Sequence, residues 1–215
     1  MILTVGNTKG GCGKTSIALN LSILQTLAGR LVWLVDGDNQ GTASIAMTIR
    51  AQSSAPLFQC DKIPNGKNLH AQVNARSKQF DDVVIDAGGR DSAALRAALV
   101  LSDAVLIPFA PRSFDLWAIT DMCHLVSEAQ AINPSLRALA VLSMADNTGR
   151  DNQDAIEALQ DFPMLSYVPT PILRRKAVAN AAGQGLSVLE IKPKDHKAIK
   201  ELQCLATIVM ISNQH

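Results

Sequence analysis

Residues 2–16 read Ile2-Leu3-Thr4-Val5-Gly6-Asn7-Thr8-Lys9-Gly10-Gly11-Cys12-Gly13-Lys14-Thr15-Ser16. Ile2 to Val5 has the composition of a strand, and it enters a loop holding two lysines and three closely spaced glycines. From Lys14 to Leu27 apolar residues recur at spacings of three and four, the pattern of a helix packed on a sheet. Strand, glycine loop and helix in that order predict a phosphate cradle. Glycines let successive N–H groups turn inward, the helix N-terminus adds positive potential, Lys14 can reach β- and γ-phosphates, and Thr15 can ligate Mg²⁺. The cradle comprises Lys9, Gly10, Gly11, Cys12, Gly13, Lys14, Thr15 and Ser16.

Working outward, short Val-, Ile- and Leu-rich runs recur at Leu31 to Val35, Val83 to Ile85, Ala104 to Ile107 and Leu139 to Leu142. Between them, Ser92 to Leu101, Leu116 to Ala131 and Asp151 to Leu159 carry helical spacing. This alternation predicts an α/β protein with a doubly wound, mostly parallel sheet and helices on both faces. The polar stretch from Ala51 to Lys78, with Pro56, Pro64 and Asn65-Gly66, reads as loop plus one helix.

Length and composition agree with one domain over 1–215. The 215 residues are 47% hydrophobic and only 4% aromatic, enough for a large core of small aliphatic side chains. A net charge of +1 gives no global signal for nucleic acid or membrane, so any such surface is a local patch. Cys12, Cys60, Cys123 and Cys204 are scattered with no C-x-x-C pair, which suits free thiols in a reducing cytoplasm. The opening strand leaves no room for a leader, and the apolar run Cys204 to Ile211 is far shorter than the roughly 20 residues a membrane span needs. The expected location is cytoplasmic, with no stable membrane insertion.

Three acids complete the predicted site. Val35-Asp36-Gly37-Asp38-Asn39-Gln40 puts two carboxylates just past a strand, at the sheet edge where open α/β folds bind ligands. Phe80-Asp81-Asp82-Val83-Val84-Ile85-Asp86 is an apolar strand closed by an acid, the Walker B pattern. A plainer role for Asp36 and Asp38 is to cap the helix that follows.

Against G-x-x-x-x-G-K-[ST] the loop departs at Thr8, and the departure is informative. Lys9-Gly10-Gly11-Cys12-Gly13-Lys14-Thr15 resembles the deviant Walker A motif of the ParA/MinD superfamily, with its early lysine at Lys9. Asp36-Gly37-Asp38-Asn39-Gln40 resembles that family's D-x-D-P-Q segment, with Asn39 in place of proline. The Gly-rich turn Ala87-Gly88-Gly89-Arg90 is similar to that of the smaller plasmid ParA proteins. The resemblance covers roughly residues 2–190, except that the family's Asn after the strand at Leu139 to Leu142 is absent from Ser143-Met144-Ala145-Asp146.

The resemblance implies a catalytic set of Lys9, Lys14 and Asp38, with Lys9 crossing to the nucleotide of a second subunit and Asp38 positioning the attacking water. It implies ATP and Mg²⁺ as cofactors, with Thr15, Asp36 and Asp86 toward the metal. Val105-Leu106-Ile107-Pro108 and Pro111-Arg112-Ser113-Phe114-Asp115 would lie beside the dimer interface, and the segment of Pro169 and Pro171 beside the adenine. The function implied is ATP-driven homodimerisation, non-specific binding to double-stranded DNA, and plasmid or chromosome partition with a ParB-like adaptor that stimulates weak hydrolysis. The ATP-bound form would be nucleoid-associated. Late basic residues offer a phosphate-tracking surface, in one cluster of Arg174, Arg175 and Lys176 and another of Lys192, Lys194, Lys197 and Lys200.

Two other readings stay open. A MinD-like positioning ATPase would use a basic amphipathic C-terminal helix on a membrane. Lys197 to Ile211 puts Ile199, Leu202, Leu205 and Val209 on one side but has no late Lys or Arg, as a helix packed on the core would. A dethiobiotin-synthetase-type ligase shares the nucleotide fold, and Lys9 argues against it.

Overall fold

The computed structural model describes residues 1–111, 116–147 and 150–210, and of Leu116 the backbone alone. The strands are β1 (Ile2–Val5), β2 (Val32–Asp36), β3 (Gln59–Lys62), β4 (Asp82–Asp86), β5 (Ala104–Phe109), β6 (Arg137–Ala145) and β7 (Ser166–Leu173). They form a single sheet of order β3-β2-β4-β1-β5-β6-β7, parallel at every pairing. The helices are α1 (Lys14–Leu27), α2 (Thr42–Arg50), α3 (Gly66–Arg76), α4 (Ala93–Leu101), α5 (Leu116–Gln130), α6 (Asp151–Ala158), α7 (Lys176–Ala182) and α8 (His196–Val209).

Alternate residues of each strand serve opposite faces, as the pleat requires. Val84 of β4 joins a core with α1, α2, α7 and α8, while its neighbours Val83 and Ile85 join one with α3 and α4. Both faces are therefore buried, and the continuous apolar runs seen in the sequence are those of a covered parallel sheet.

All five strands expected from the sequence are present, and two more flank them. β3 lies inside the stretch read as loop plus helix. Its polar sequence Gln59-Cys60-Asp61-Lys62 suits a sheet edge, where Asp61 accepts hydrogen bonds from Trp33 Nε1 at 2.9 Å and Arg76 at 3.2 Å. β7 contains Pro169 and Pro171, which an edge strand tolerates because one side makes no ladder. Between the pairs Val141–Val168 and Ser143–Ile172, Pro169-Thr170-Pro171 stands against the single residue Leu142. A second irregularity follows at once, where β6 carries Met144 as an extra residue with φ 53°.

α8 behaves as expected of a core helix. Ala198, Leu202, Leu205, Ala206 and Val209 are buried in the core with α1 and β1. Among the described residues no helix is long and apolar enough to cross a membrane.

Candidate nucleotide site

Register brings three loops to one level. Val5 pairs with Asp86, and Asp86 pairs on its other side with Asp36, so the chain leaves β1, β4 and β2 at the same height on the carboxyl edge of the sheet. The loops enclose a cleft of about 570 Å³ whose lining includes Gly10, Lys14, Thr15, Asp38, Gly89 and Arg90.

The phosphate loop is fixed at its root. Asn7 donates to the Pro108 carbonyl at 2.8 Å and accepts from the Lys9 N–H at 3.0 Å, which bends the chain away from β1. Thr8 Oγ1 donates to the Ala118 carbonyl at 3.3 Å. Gly13 then adopts φ 83°, a left-handed conformation open to glycine at little cost, and α1 starts at the next residue. Lys14 is buried, with Nζ donating to the Lys9 carbonyl at 2.6 Å and lying 3.8 Å from Cys12 Sγ. Burial pushes the Cys12 thiol pKa up, against the lowering effect of Lys14.

The acids have distinct surroundings. Asp36 is fully buried and accepts from the Asp38 N–H at 3.1 Å and from Ser44 N–H, in the first turn of α2, at 2.8 Å. Asp36, expected toward the metal, holds backbone with both oxygens, one of them on the first turn of α2. Asp38 lines the cleft and is half-buried, accepting from the Gln40 N–H at 3.1 Å. Asp86 is buried, and its Oδ2 has no hydrogen-bond partner. Burial raises the Asp86 pKa to about 7, helped by the charges of Asp36 and Asp38 and opposed by the Thr15 hydroxyl bond and Lys14.

A buried carboxylate oxygen without a partner, next to a threonine hydroxyl at the mouth of a glycine loop, is a donor set suited to a hard divalent cation. Thr15 and Asp86 therefore fit Mg²⁺. The Gly88-Gly89 turn closes the site from the β4 side. A Cβ on Gly88 would lie 3.1 Å from the Asp38 carboxyl carbon, and one on Gly89 would lie 2.9 Å from Gly10 Cα and 3.2 Å from Lys14 Nζ. Side chains would hold these three loops apart.

A smaller apolar pocket of about 120 Å³ adjoins the cleft and shares Gly13, Ser16 and Met144 with it. Ile172, Leu173 and Arg174 line it, whereas Pro169 and Pro171, expected beside the base, form the irregular part of β7 and are not among its lining residues. Met144, the extra residue of the β6 irregularity, lines both the pocket and the cleft.

The late basic residues divide into two kinds. Arg175 is engaged, donating to Glu201 at 2.5 Å and lying 3.6 Å from Asp195, and Lys194 donates to the Leu189 carbonyl. Arg174, Lys176, Lys192, Lys197 and Lys200 are exposed. The Arg175 contacts tie the start of α7 to Asp195, the N-cap of α8, and to Glu201 within that helix. Arg112 to Asp115, expected beside a dimer interface, lie outside the described residues; Pro108 sits in β5 and Pro111 is buried.

Sequence reasoning missed a buried link behind the site. Arg50, at the end of α2, is fully buried and donates to both Glu190 oxygens at 2.9 and 2.7 Å, to the Gly185 carbonyl at 3.1 Å and to the Pro56 carbonyl at 2.9 Å. The one available signal was an arginine ending an otherwise uncharged helix. Lys62 was also missed; its Nζ donates to the Asn39 carbonyl at 2.8 Å and steadies the loop that carries Asp38.

A parallel sheet with a glycine loop between β1 and α1, and acids at the ends of β2 and β4, defines a P-loop nucleotide-binding protein. The chain belongs to the CobQ/CobB/MinD/ParA nucleotide binding domain family, whose model matches residues 3–188. It is 34% identical over 218 residues to the maintenance of carboxysome distribution protein A of Halothiobacillus neapolitanus, covering 98% of this chain and 96% of that protein. It is 26% identical over 167 residues to the chromosome-partitioning ATPase Soj of Thermus thermophilus, covering 65% of this chain and 67% of that protein. In fold it is similar to the ATP complex of a Cyanothece McdA variant, with a TM-score of 0.79 at 17% identity over 100% of this chain and 98% of that one. The expectation of ParA/MinD kinship is met.

Proposed function

We propose that residues 1–215 form one ATPase domain of the positioning type, which dimerises on ATP, holds to DNA without reading sequence, and is released when a ParB-like adaptor stimulates hydrolysis. The observation that carries this reading is the cleft in which Lys14 and Thr15, at the end of the loop that bears Lys9, meet Asp38 from the loop after β2. Relatives whose names refer to carboxysome distribution and chromosome partitioning support the positioning role. The burial of the apolar face of α8 disfavours the membrane-bound variant of it.

Phosphoryl transfer needs in-line positioning and neutralised charge more than a strong base. Lys14, freed from the Lys9 carbonyl, contacts the β- and γ-phosphates, and the N–H groups from Gly10 to Thr15 surround them. Asp38 accepts a hydrogen bond from the attacking water and so orients it. Thr15 and Asp86 hold Mg²⁺, which when bound neutralises charge on the phosphate oxygens. Lys9 reaches the nucleotide of the second copy, so the complete site exists only in the dimer.

The test is size-exclusion analysis of Asp38→Ala with ATP and Mg²⁺, with and without random-sequence duplex DNA. A dimer that co-elutes with DNA only in ATP supports the reading. A monomer in every condition contradicts it.

A further inference from the structure

We propose that Arg90 is a γ-phosphate contact supplied by the chain to its own cleft, by which the site distinguishes ATP from ADP. The inference rests on the ATPase reading and adds to it a second cation, on the turn after β4 that packs beside the phosphate loop.

The backbone puts Arg90 there. Ala87 N–H donates to the Val5 carbonyl at 3.0 Å, which seats the turn after β4 against the root of the phosphate loop. The next two residues are glycines packed so closely on Asp38, Gly10 and Lys14 that a Cβ on either would crowd them. Arg90 is the first residue of this turn with a side chain long enough to bridge the cleft, and it lines the same cleft as Lys14 and Asp38.

Its charge is uncommitted. Among the described residues the guanidinium has no hydrogen bond or ion pair. The adjacent acid, Asp91, is taken by Arg96, which donates to its two oxygens at 2.7 and 2.8 Å and also pairs with Glu128. Arg96 thus spares Arg90 the neighbour that would have neutralised it. Lys14 and Asp38 line the cleft with Arg90, and the buried Asp86 ends β4 beneath it. A terminal phosphate entering the cleft adds negative charge to a lining that already holds the Arg90 guanidinium. A guanidinium presents a planar fork that matches two phosphate oxygens, a geometry that a lysine ammonium does not reproduce. An arginine merely solvated on an exposed turn would leave ATP and ADP equally affected by its removal.

The experiment titrates the parent chain, Arg90→Ala and Arg90→Lys with a fluorescent ADP and with a non-hydrolysable ATP analogue, both with Mg²⁺, and records thermal unfolding of each protein as a folding control. Arg90 is exposed, so the variants should unfold with the parent. Arg90→Ala should weaken binding of the ATP analogue about tenfold. ADP affinity should change less than twofold, and Arg90→Lys should fall between. Equal weakening of both nucleotides, or no change in either, overturns the proposal while leaving the ATPase reading in place. A parent chain that binds neither nucleotide overturns both.

Discussion

The Lys14 ammonium donates a 2.6 Å hydrogen bond to the main-chain carbonyl of Lys9, so the two loop lysines are joined through backbone. Removing the Lys9 side chain leaves that bond intact, whereas removing Lys14 deletes both the bond and the proposed phosphate contact. Lys9→Ala should therefore bind nucleotide as the parent does and lose adaptor-stimulated turnover. Lys14→Ala should lose a charge-assisted contact of about 1.5–3 kcal/mol, roughly a ten- to hundredfold fall in ATP affinity. Equilibrium titration of both variants decides the matter; equal losses would contradict the division of labour between the lysines.

Asp86 sets a pH dependence. Its pKa is near 3.8 when the chain is unfolded and rises to about 7 in the fold, because burial disfavours the charged form. The folded state binds more protons between those values, so this contribution to stability is full below the lower value and is lost as pH rises through the upper one. Mg²⁺ needs the charged form, and its stabilising effect should grow as pH rises past neutrality. Thermal unfolding with nucleotide, in Mg²⁺ and in chelator, should show the gap between the two curves widening on the alkaline side. Asp86→Asn should flatten the metal-free profile and abolish the gap.

The parts of this architecture legible in the sequence are those that repeat a physical pattern. β1, β2, β4, β5 and β6 are apolar runs because both sheet faces are covered, and the phosphate loop is dictated by conformations that glycine alone adopts cheaply. β3 and β7 were illegible because edge strands escape that constraint: one is polar and its Asp61 serves Trp33 and Arg76, the other contains two prolines. Asp36 also has a tie that its motif does not show: its oxygens hold the Asp38 and Ser44 N–H groups, bonds visible only in three dimensions. Met144 carries no local signal at all, since its position depends on a bulge between β6 and β7.

The Arg50–Glu190 pair should be a principal stabiliser. Arg50 is fully buried, and although burial raises the Glu190 pKa, the Arg50 bonds and the Ser187 N–H hold it below the ordinary carboxylate value. A lowered acid pKa contributes stability above the unfolded value and loses it as pH falls through the folded one. Glu190→Ala leaves a buried guanidinium unpaired and should cost about 3–5 kcal/mol in denaturant unfolding at neutral pH. The double change Arg50→Met with Glu190→Leu should cost less than the single one. A single change that costs under about 1 kcal/mol would put the pair among ordinary surface bridges.

Of the late basic residues, only some can report on DNA binding alone. Arg175 is bonded to Glu201, so Arg175→Ala would unpair that acid and loosen the junction of α7 and α8. Arg174 lines the pocket beside the phosphate loop, so its removal would confound nucleotide binding with DNA binding. Lys176, Lys192, Lys197 and Lys200 are exposed and do neither. If these lysines track phosphates, DNA affinity should be independent of sequence, require ATP and fall steeply with salt. Each lost contact should lower the log–log salt slope by about 0.9. Dimerisation doubles the contacts on one rigid body, so removing one lysine removes two contacts from the dimer. Changing all four to Ala should weaken DNA binding while ATP-driven dimerisation, followed by size exclusion, stays as in the parent. An unchanged salt slope in that variant would remove DNA from this face and shift the positioning role to a protein cargo or another surface.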